Sequence, residues 1–361
     1  MKRLLIILCS LCLVIFIIAG CSDDIQKSVP DISSPGISSD TSASSGNEKQ
    51  ETPAKTENDT DEDDIANTNA DSSYGADIPV VYMTREINPE SLIEIYQALG
   101  VEPFGNIAIK VHTGEPPNSN YLRPELIGDL VRSIGGTIVE TNAVAGNRAS
   151  NAKHLQVAKD HGFLDLAPFD LLDADGEVSI SVNNGEVLSE VIVGVNVPNY
   201  DFYVVLSHFK GHGSAGYGGA IKNVSIGLAS APGKSLIHSA GARRTGYTGD
   251  QDKFLKGMAE ACAGIIDYFD GNFIYINVMN RLSVDCDCMG NPAKPDMHDI
   301  GILASLDPVA LDQACVDLVY AAPDGASLIR RIESRNGIHT LEHAAAIGLG
   351  SREYILVSID D

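Results

Sequence analysis

Short apolar runs recur along the chain from Pro79 onward, and most are bounded by glycine, proline, asparagine or aspartate. The runs at 79–83 (PVVYM), 106–111 (NIAIKV), 137–140 (TIVE), 201–206 (DFYVVL), 272–278 (NFIYINV), 300–304 (IGILA) and 354–359 (YILVSI) predict strands. Between most of them the apolar positions recur at helical spacing, at 89–99, 123–134, 151–160, 253–269, 308–321 and 324–335. Strands alternating with helices call for crossover connections. The expected fold is therefore α/β, with mostly parallel sheet, over residues 77–361, as one large domain or two lobes. Ligands in such folds gather at the carboxyl ends of the strands, so the residues just after each run are the ones to inspect. Asp307-Pro308 marks a helix start, because the aspartate side chain caps free amides and proline at the first helical position forfeits no hydrogen bond.

The pattern before Pro79 is different. Lys2 and Arg3 precede an apolar run from Leu4 to Ala19, which ends in Ile18-Ala19-Gly20-Cys21. A run this short falls below the ~20 residues a membrane span needs. It reads as a lipoprotein signal over residues 1–20 with Cys21 lipidated, the alternative being an uncleaved anchor. Either form puts the protein on the extracytoplasmic side of a cell membrane. Residues 21–76 are rich in Ser, Asp and Glu. From 22 to 76 thirteen acidic residues face three basic ones, a composition that cannot offset its chain entropy by burial and reads as a disordered tether.

The formal charge of −24 disfavours nucleic acid as a partner, since phosphate binding needs a basic footprint. Of the seven cysteines, Cys9, Cys12 and Cys21 belong to the signal. Cys262 and Cys315 fall on apolar helical faces and read as core. Cys286 and Cys288 remain.

Against that acidic background one window stands out. No Asp or Glu occurs between Asp201 and Asp250, yet the interval holds Lys210, Lys222, Lys234, Arg243 and Arg244 with His208, His212 and His238. Its first part, "SHFKGHGSAGYGGAIKN", follows a predicted strand. Gly211, Gly213 and Gly216 satisfy G-x-G-x-x-G, but the acidic residue that a dinucleotide fold places about 20 positions later is missing. Glycines let backbone amides approach a ligand, and consecutive amides make concavities for anions. The window therefore predicts a pocket for a small carboxylate or phosphate, rather than a tight turn with solvated basic residues. Lys210, Gly213, Gly218, Gly219 and Asn223 are its candidate anion contacts, joined by Lys110 and Arg148 from the loops after earlier strands. Lys222 and His212 would supply charge and proton transfer as catalytic groups. His238 is a candidate metal ligand or second acid-base group.

Two further stretches follow strands. In "VDCDCMGNP", Cys286 and Cys288 can reach one metal once the chain bends at Gly290 and Pro292. Soft sulfur suits zinc, copper or an iron-sulfur centre, the alternatives being a redox pair or two part-buried thiols. "KVHTGEPPNSNYLRPE" and "TNAVAGNRASNAKH" bring Lys110, His112, Arg123, Asn142, Asn147 and Arg148 toward the same cleft. His112, standing alone, reads as structural.

The segments "NYLRPEL", "HFKGHGSAGYGGAIKNVSIG", "DCDC" and "PDMHDIGILASLDPVALDQACVDL", in this order, resemble the domain of unknown function 362 family, often described as putative iron-sulfur centre proteins. Many members carry a ferredoxin-like insert of clustered cysteines between the "AIKN" and "DCDC" loops. Here that interval holds only Cys262. Any cluster would thus draw on Cys286, Cys288 and non-cysteine ligands, or sit between chains. A more distant likeness is to the nickel-dependent lactate racemase family, in which a lysine bearing a nickel pincer nucleotide lies between a proton-transfer histidine and a nickel-ligating one. His212, Lys222 and His238, spaced by 10 and 16 residues, are similar to that trio. The second proton-transfer histidine would fall near Asn147-Arg148, where none stands. The likeness therefore implies a shared scaffold and an anion or metal site, not a shared reaction. The expected function is a membrane-tethered lipoprotein with a metal- or anion-binding cleft, for which an enzyme on a small carboxylate or phosphorylated compound is one open reading. The alternatives are a non-catalytic solute-binding or docking lipoprotein and an iron-sulfur electron carrier.

Overall fold

The computed structural model describes residues 78–247 and 249–360. The signal, Cys21 and the whole of the tether lie outside the described residues. In chain order the elements begin with β1 (Val80–Thr84), α1 (Pro89–Ala98), β2 (Ile107–Lys110), α2 (Pro124–Ile134), β3 (Thr137–Glu140), α3 (Asn151–Asp160) and β4 (Phe169–Leu171). A hairpin of β5 (Glu177–Ser181) and β6 (Glu190–Gly194) follows, then β7 (Phe202–His208) and a small hairpin of β8 (Lys210–His212) and β9 (Gly216–Gly218). Three helices come next, α4 (Ala220–Leu228), α5 (Ala231–His238) and α6 (Gln251–Tyr268). The chain continues through β10 (Phe273–Met279), β11 (Gly301–Ser305), α7 (Pro308–Ala321), α8 (Ala326–Ser334), α9 (His339–Ala346) and β12 (Ile355–Ser358).

The main sheet has the order β12-β1-β11-β10-β7-β2-β3-β4. Only β11 runs against its neighbours, β1 and β10, and the remaining pairs are parallel. Both central strands, β7 and β10, are buried at every position, which is why their sequences read as continuous apolar runs rather than alternating ones. Successive residues of β7 feed opposite faces. Phe202, Val204 and Leu206 pack with Leu92 and Ile95 of α1 and Leu130 of α2, whereas Tyr203 and Val205 share a core with α4, α6 and α7. Cys262 and Cys315 are fully buried in this second core, as their helical faces predicted. Asp307 caps α7 by accepting from the amides of Val309 and Ala310. Among the described residues, no helix is long and apolar enough to cross a membrane.

Every predicted strand and helix is present within a few residues of its expected bounds. The short strands β4, β5, β6, β8 and β9 and the helices α4, α5 and α9 carry no such signal. Six of the nine residues of α4 are buried, so it shows little contrast between faces. β8 and β9 are three residues long and lie within the glycine-rich stretch. These inconspicuous elements build the site.

Candidate functional site

A pocket of about 140 Å³ opens where the carboxyl ends of β2, β3, β7 and β10 lie side by side. It is lined by His112 after β2, Arg148 in the loop after β3, Lys210 and His212 of β8, Gly218 and Gly219, Lys222 and Asn223 of α4, Lys234 and His238 of α5, and Cys286 and Cys288 after β10. Ten of the twelve residues singled out beside the lipidation site thus meet in one cavity. Lys110 lies beneath it, where its ammonium donates to Glu140 Oε2 (3.2 Å) and Asn223 Oδ1 (3.1 Å). Gly213 is off the lining, at the far end of the β8–β9 hairpin near Arg331. His112, which reads as structural in the sequence, is part of the lining.

The cations are held by carboxylates that the sequence did not single out. Glu140, at the end of β3, accepts from the Thr113 amide (2.9 Å) and pairs with Lys110 (3.2 Å) and Arg148 (3.4 Å). Burial pushes the Glu140 pKa up, but Lys110, His154 and Arg148 together outweigh it and hold the group at about 2. Arg148 also pairs with Glu115 (3.3 Å). Asp287, between the two cysteines, accepts from Lys210 Nζ (2.8 Å) and His208 Nδ1 (2.8 Å). Lys234 has no carboxylate within salt-bridge distance among the described residues. Its ammonium donates to Thr141 Oγ1 (2.6 Å), Asn142 O (2.8 Å) and Ala229 O (2.6 Å), while burial draws its pKa down to about 7. Lys222 is half-buried and, among the described residues, has neither a hydrogen bond nor an ion pair. Glu140 is the only carboxylate among the described residues of the lining, which carries Arg148, Lys210, Lys222 and Lys234. The pocket is therefore electropositive inside a strongly acidic protein.

The glycine loop contributes these cations more than its amides. Asp312 of α7 accepts the amides of Ala220 (2.7 Å) and Ile221 (3.1 Å) at the start of α4, and the side-chain amide of Asn277 (2.8 Å). Two of the free donors of that helix end are thus spent on protein. Gly219 is what admits this cap, because a Cβ there would lie 2.2 Å from Asp312 Oδ1. Burial raises the Asp312 pKa to about 6 against the three hydrogen bonds that favour its charge.

Hydrogen bonding also assigns the histidine tautomers. His112 Nδ1 accepts from the Gly114 amide (3.1 Å), and His212 Nδ1 accepts from the amides of Ser214 (3.2 Å) and Ala215 (2.9 Å). Burial, reinforced by nearby cations, pushes both pKa values well below the ordinary range, so both rings are neutral with the proton on Nε2. His238 has the opposite arrangement. Its Nδ1 lies 2.7 Å from the carbonyl of Lys234, which can only accept, so Nδ1 bears the proton and Nε2 keeps its lone pair. Burial lowers the His238 pKa to about 4.

Cys286 Sγ, Cys288 Sγ and a ring nitrogen of His212 all lie within 4.8 Å of one another. Both cysteines are free thiols. A hydrogen bond from Cys288 lowers the Cys286 pKa to about 5 against the cost of burial, with help from Lys222 and Lys210, and the same bond raises Cys288. His212 Nε2 sits 4.0 Å from Cys288 Sγ.

The fold and the pocket define an α/β protein with a cation-lined cleft at the carboxyl edge of its sheet. A family model described as "Domain of unknown function (DUF362)" matches residues 107–317, more than half of the chain, and the protein belongs to that family. No curated protein sequence matches the chain. Similar solved structures include the lactate racemase apoprotein from Thermoanaerobacterium thermosaccharolyticum, at 11% identity over 66% of this chain and 56% of that one, with a TM-score of 0.40. Another is a Thermotoga maritima protein solved by the Northeast Structural Genomics Consortium, at 11% identity over 72% and 58%, with a TM-score of 0.39. The chain thus spans less than two thirds of either protein. At these values the likeness bears on neither the site nor its chemistry.

Proposed function

We propose that this protein binds a small carboxylate or phosphorylated anion in the pocket and is held at the outer face of a cell membrane through Cys21. The observation that carries the reading is Lys222, a cation that among the described residues has no partner and faces a lining whose only carboxylate among them is already engaged. Buried or half-buried charge is retained where something compensates it, and an anion seated against Lys222 and Arg148 does so. His112 and His212 add Nε2–H donors, suited to stabilising developing negative charge if the bound anion is also turned over. Lys222→Ala should weaken binding of phosphate or acetate, measured by calorimetry on the full chain, by about 10-fold to 100-fold, the scale of one charge-assisted hydrogen bond. Unchanged affinity would remove the anion pocket. Binding without turnover would favour a solute-binding lipoprotein over an enzyme.

A second reading, a soft-metal site, is favoured by the clustering of Cys286, Cys288 and His212. The two sulfurs fit such an ion. His212 fits less well, because a ligating Nε2 needs its proton on Nδ1, where two backbone amides already point. His238 keeps the tautomer a metal ligand requires. Zinc binding to the reduced protein should therefore be lost in Cys286→Ser and survive His212→Gln with less than about a tenfold change. An equal loss in both variants would make His212 a ligand.

A further inference from the structure

We infer that Cys286 and Cys288 form a reversible dithiol–disulfide couple whose oxidant is a small disulfide bearing carboxylates. The choice of an anionic oxidant rests on the anion-binding reading; the couple itself does not. A turn brings the two sulfurs together. The Met289 amide donates to the Cys286 carbonyl (3.0 Å), which folds the chain back across Asp287 and Cys288. The two Sγ atoms lie within 4.8 Å of one another, and rotation of the Cys288 side chain can close this to the ~2.05 Å of a sulfur–sulfur bond without moving distant chain. Both sulfurs also meet donors. The Cys288 amide donates to Cys286 Sγ (3.3 Å), and the Nε2–H of His212 lies 4.0 Å from Cys288 Sγ. Such donors favour negative charge on an attacking or leaving sulfur.

Exposure divides the work between the two thiols. Cys288 is exposed, whereas Cys286 is 3% exposed and Cys262 and Cys315 are buried in the core. An incoming disulfide R–S–S–R therefore meets Cys288 first. As thiolate, Cys288 Sγ bonds to one sulfur of the oxidant, and the first R–S⁻ leaves. Cys286 Sγ, as thiolate, then attacks Cys288 Sγ of the mixed disulfide, and the second R–S⁻ leaves. The protein loses two electrons, which reduce R–S–S–R, and the two thiol protons end on the released thiols. Charge selects the oxidant. Both cysteines line the pocket with Arg148, Lys210, Lys222 and Lys234, and Lys222 has no partner among the described residues. That field draws in a disulfide bearing carboxylates and repels one bearing ammonium groups.

Dithiodiglycolate and cystamine, small disulfides of opposite charge, test both halves on the reduced full chain with a chelator present, each rate being divided by that of free cysteine with the same disulfide. Peptide mapping should locate a Cys286–Cys288 disulfide that dithiothreitol reverses. Dithiodiglycolate should be preferred by at least about tenfold at low salt, with the preference shrinking toward unity at about 1 M salt. Cys286→Ser should stop at a stable mixed disulfide on Cys288, and Cys288→Ser should react at least about tenfold more slowly than the wild type. A wild-type chain that stops at a mixed disulfide, or stays reduced while phosphate still binds, would overturn the couple and leave the anion pocket standing. A Cys286–Cys288 disulfide formed with no preference for dithiodiglycolate would overturn the anionic oxidant and count against the anion pocket. The wild-type measurements decide the matter even if neither variant folds.

Discussion

Asp287→Ala should destabilise the domain by about 3–5 kcal/mol, because it strands buried charge rather than merely deleting a contact. Asp287 is 1% exposed and receives both His208 (2.8 Å) and Lys210 (2.8 Å), themselves buried; Lys210 is only 6% exposed. Removing the carboxylate leaves Lys210 without an ion-pair partner at the floor of the pocket. In a domain of this size the loss corresponds to a melting temperature lower by roughly 6–15 °C in a thermal scan. The double variant Asp287→Leu with Lys210→Met should regain most of the stability, since a buried pair exchanged for apolar side chains is often neutral. A loss below about 1 kcal/mol for the single variant would show that water reaches Lys210 freely.

Glu140 should make the domain acid-sensitive. Its folded pKa of about 2 lies below its ordinary value of 4.5, so the unfolded chain binds more protons between those values. Its contribution is fully present above about pH 4.5 and is lost as the pH falls from there toward 2. A shift of this size amounts to about 3 kcal/mol for a fully buried group. Glu140→Gln should flatten this part of the stability profile in denaturant titrations between pH 5 and 3, and weaken the fold at pH 7 by leaving Lys110 and Arg148 under-compensated. A variant whose stability falls with acid as steeply as the wild type would assign the sensitivity to other groups.

The strand and helix runs of residues 78–360 could be read from hydrophobic periodicity, because both faces of β7 and β10 and one face of α1, α2 and α6 are buried and each period leaves its mark. The glycine loop, the cysteine pair and Arg148 could be placed near one cleft from chain order, since parallel strands present the loops after them at one edge. Glu140 and Asp287 went unassigned for a physical reason. An acidic residue at a strand end or inside a loop looks solvated until its neighbours are known, and here the neighbours come from segments far apart in sequence, Lys110 against Glu140 and Lys210 against Asp287. A carboxylate closing the apolar run TIVE was the available signal.

The same contrast separates two kinds of property in this protein. Composition, periodicity and the acid-free window are local or additive, and they were enough for an α/β fold with a cationic cleft after its strands. Which lysine stays unpaired, which histidines donate and which one accepts depend on hydrogen bonds formed only once the chain is folded. His112, His212 and His238 are identical residues in the sequence. They differ in which ring nitrogen bears the proton because Gly114, Ser214 and Ala215 offer amides to the first two, while Lys234 offers a carbonyl to the third.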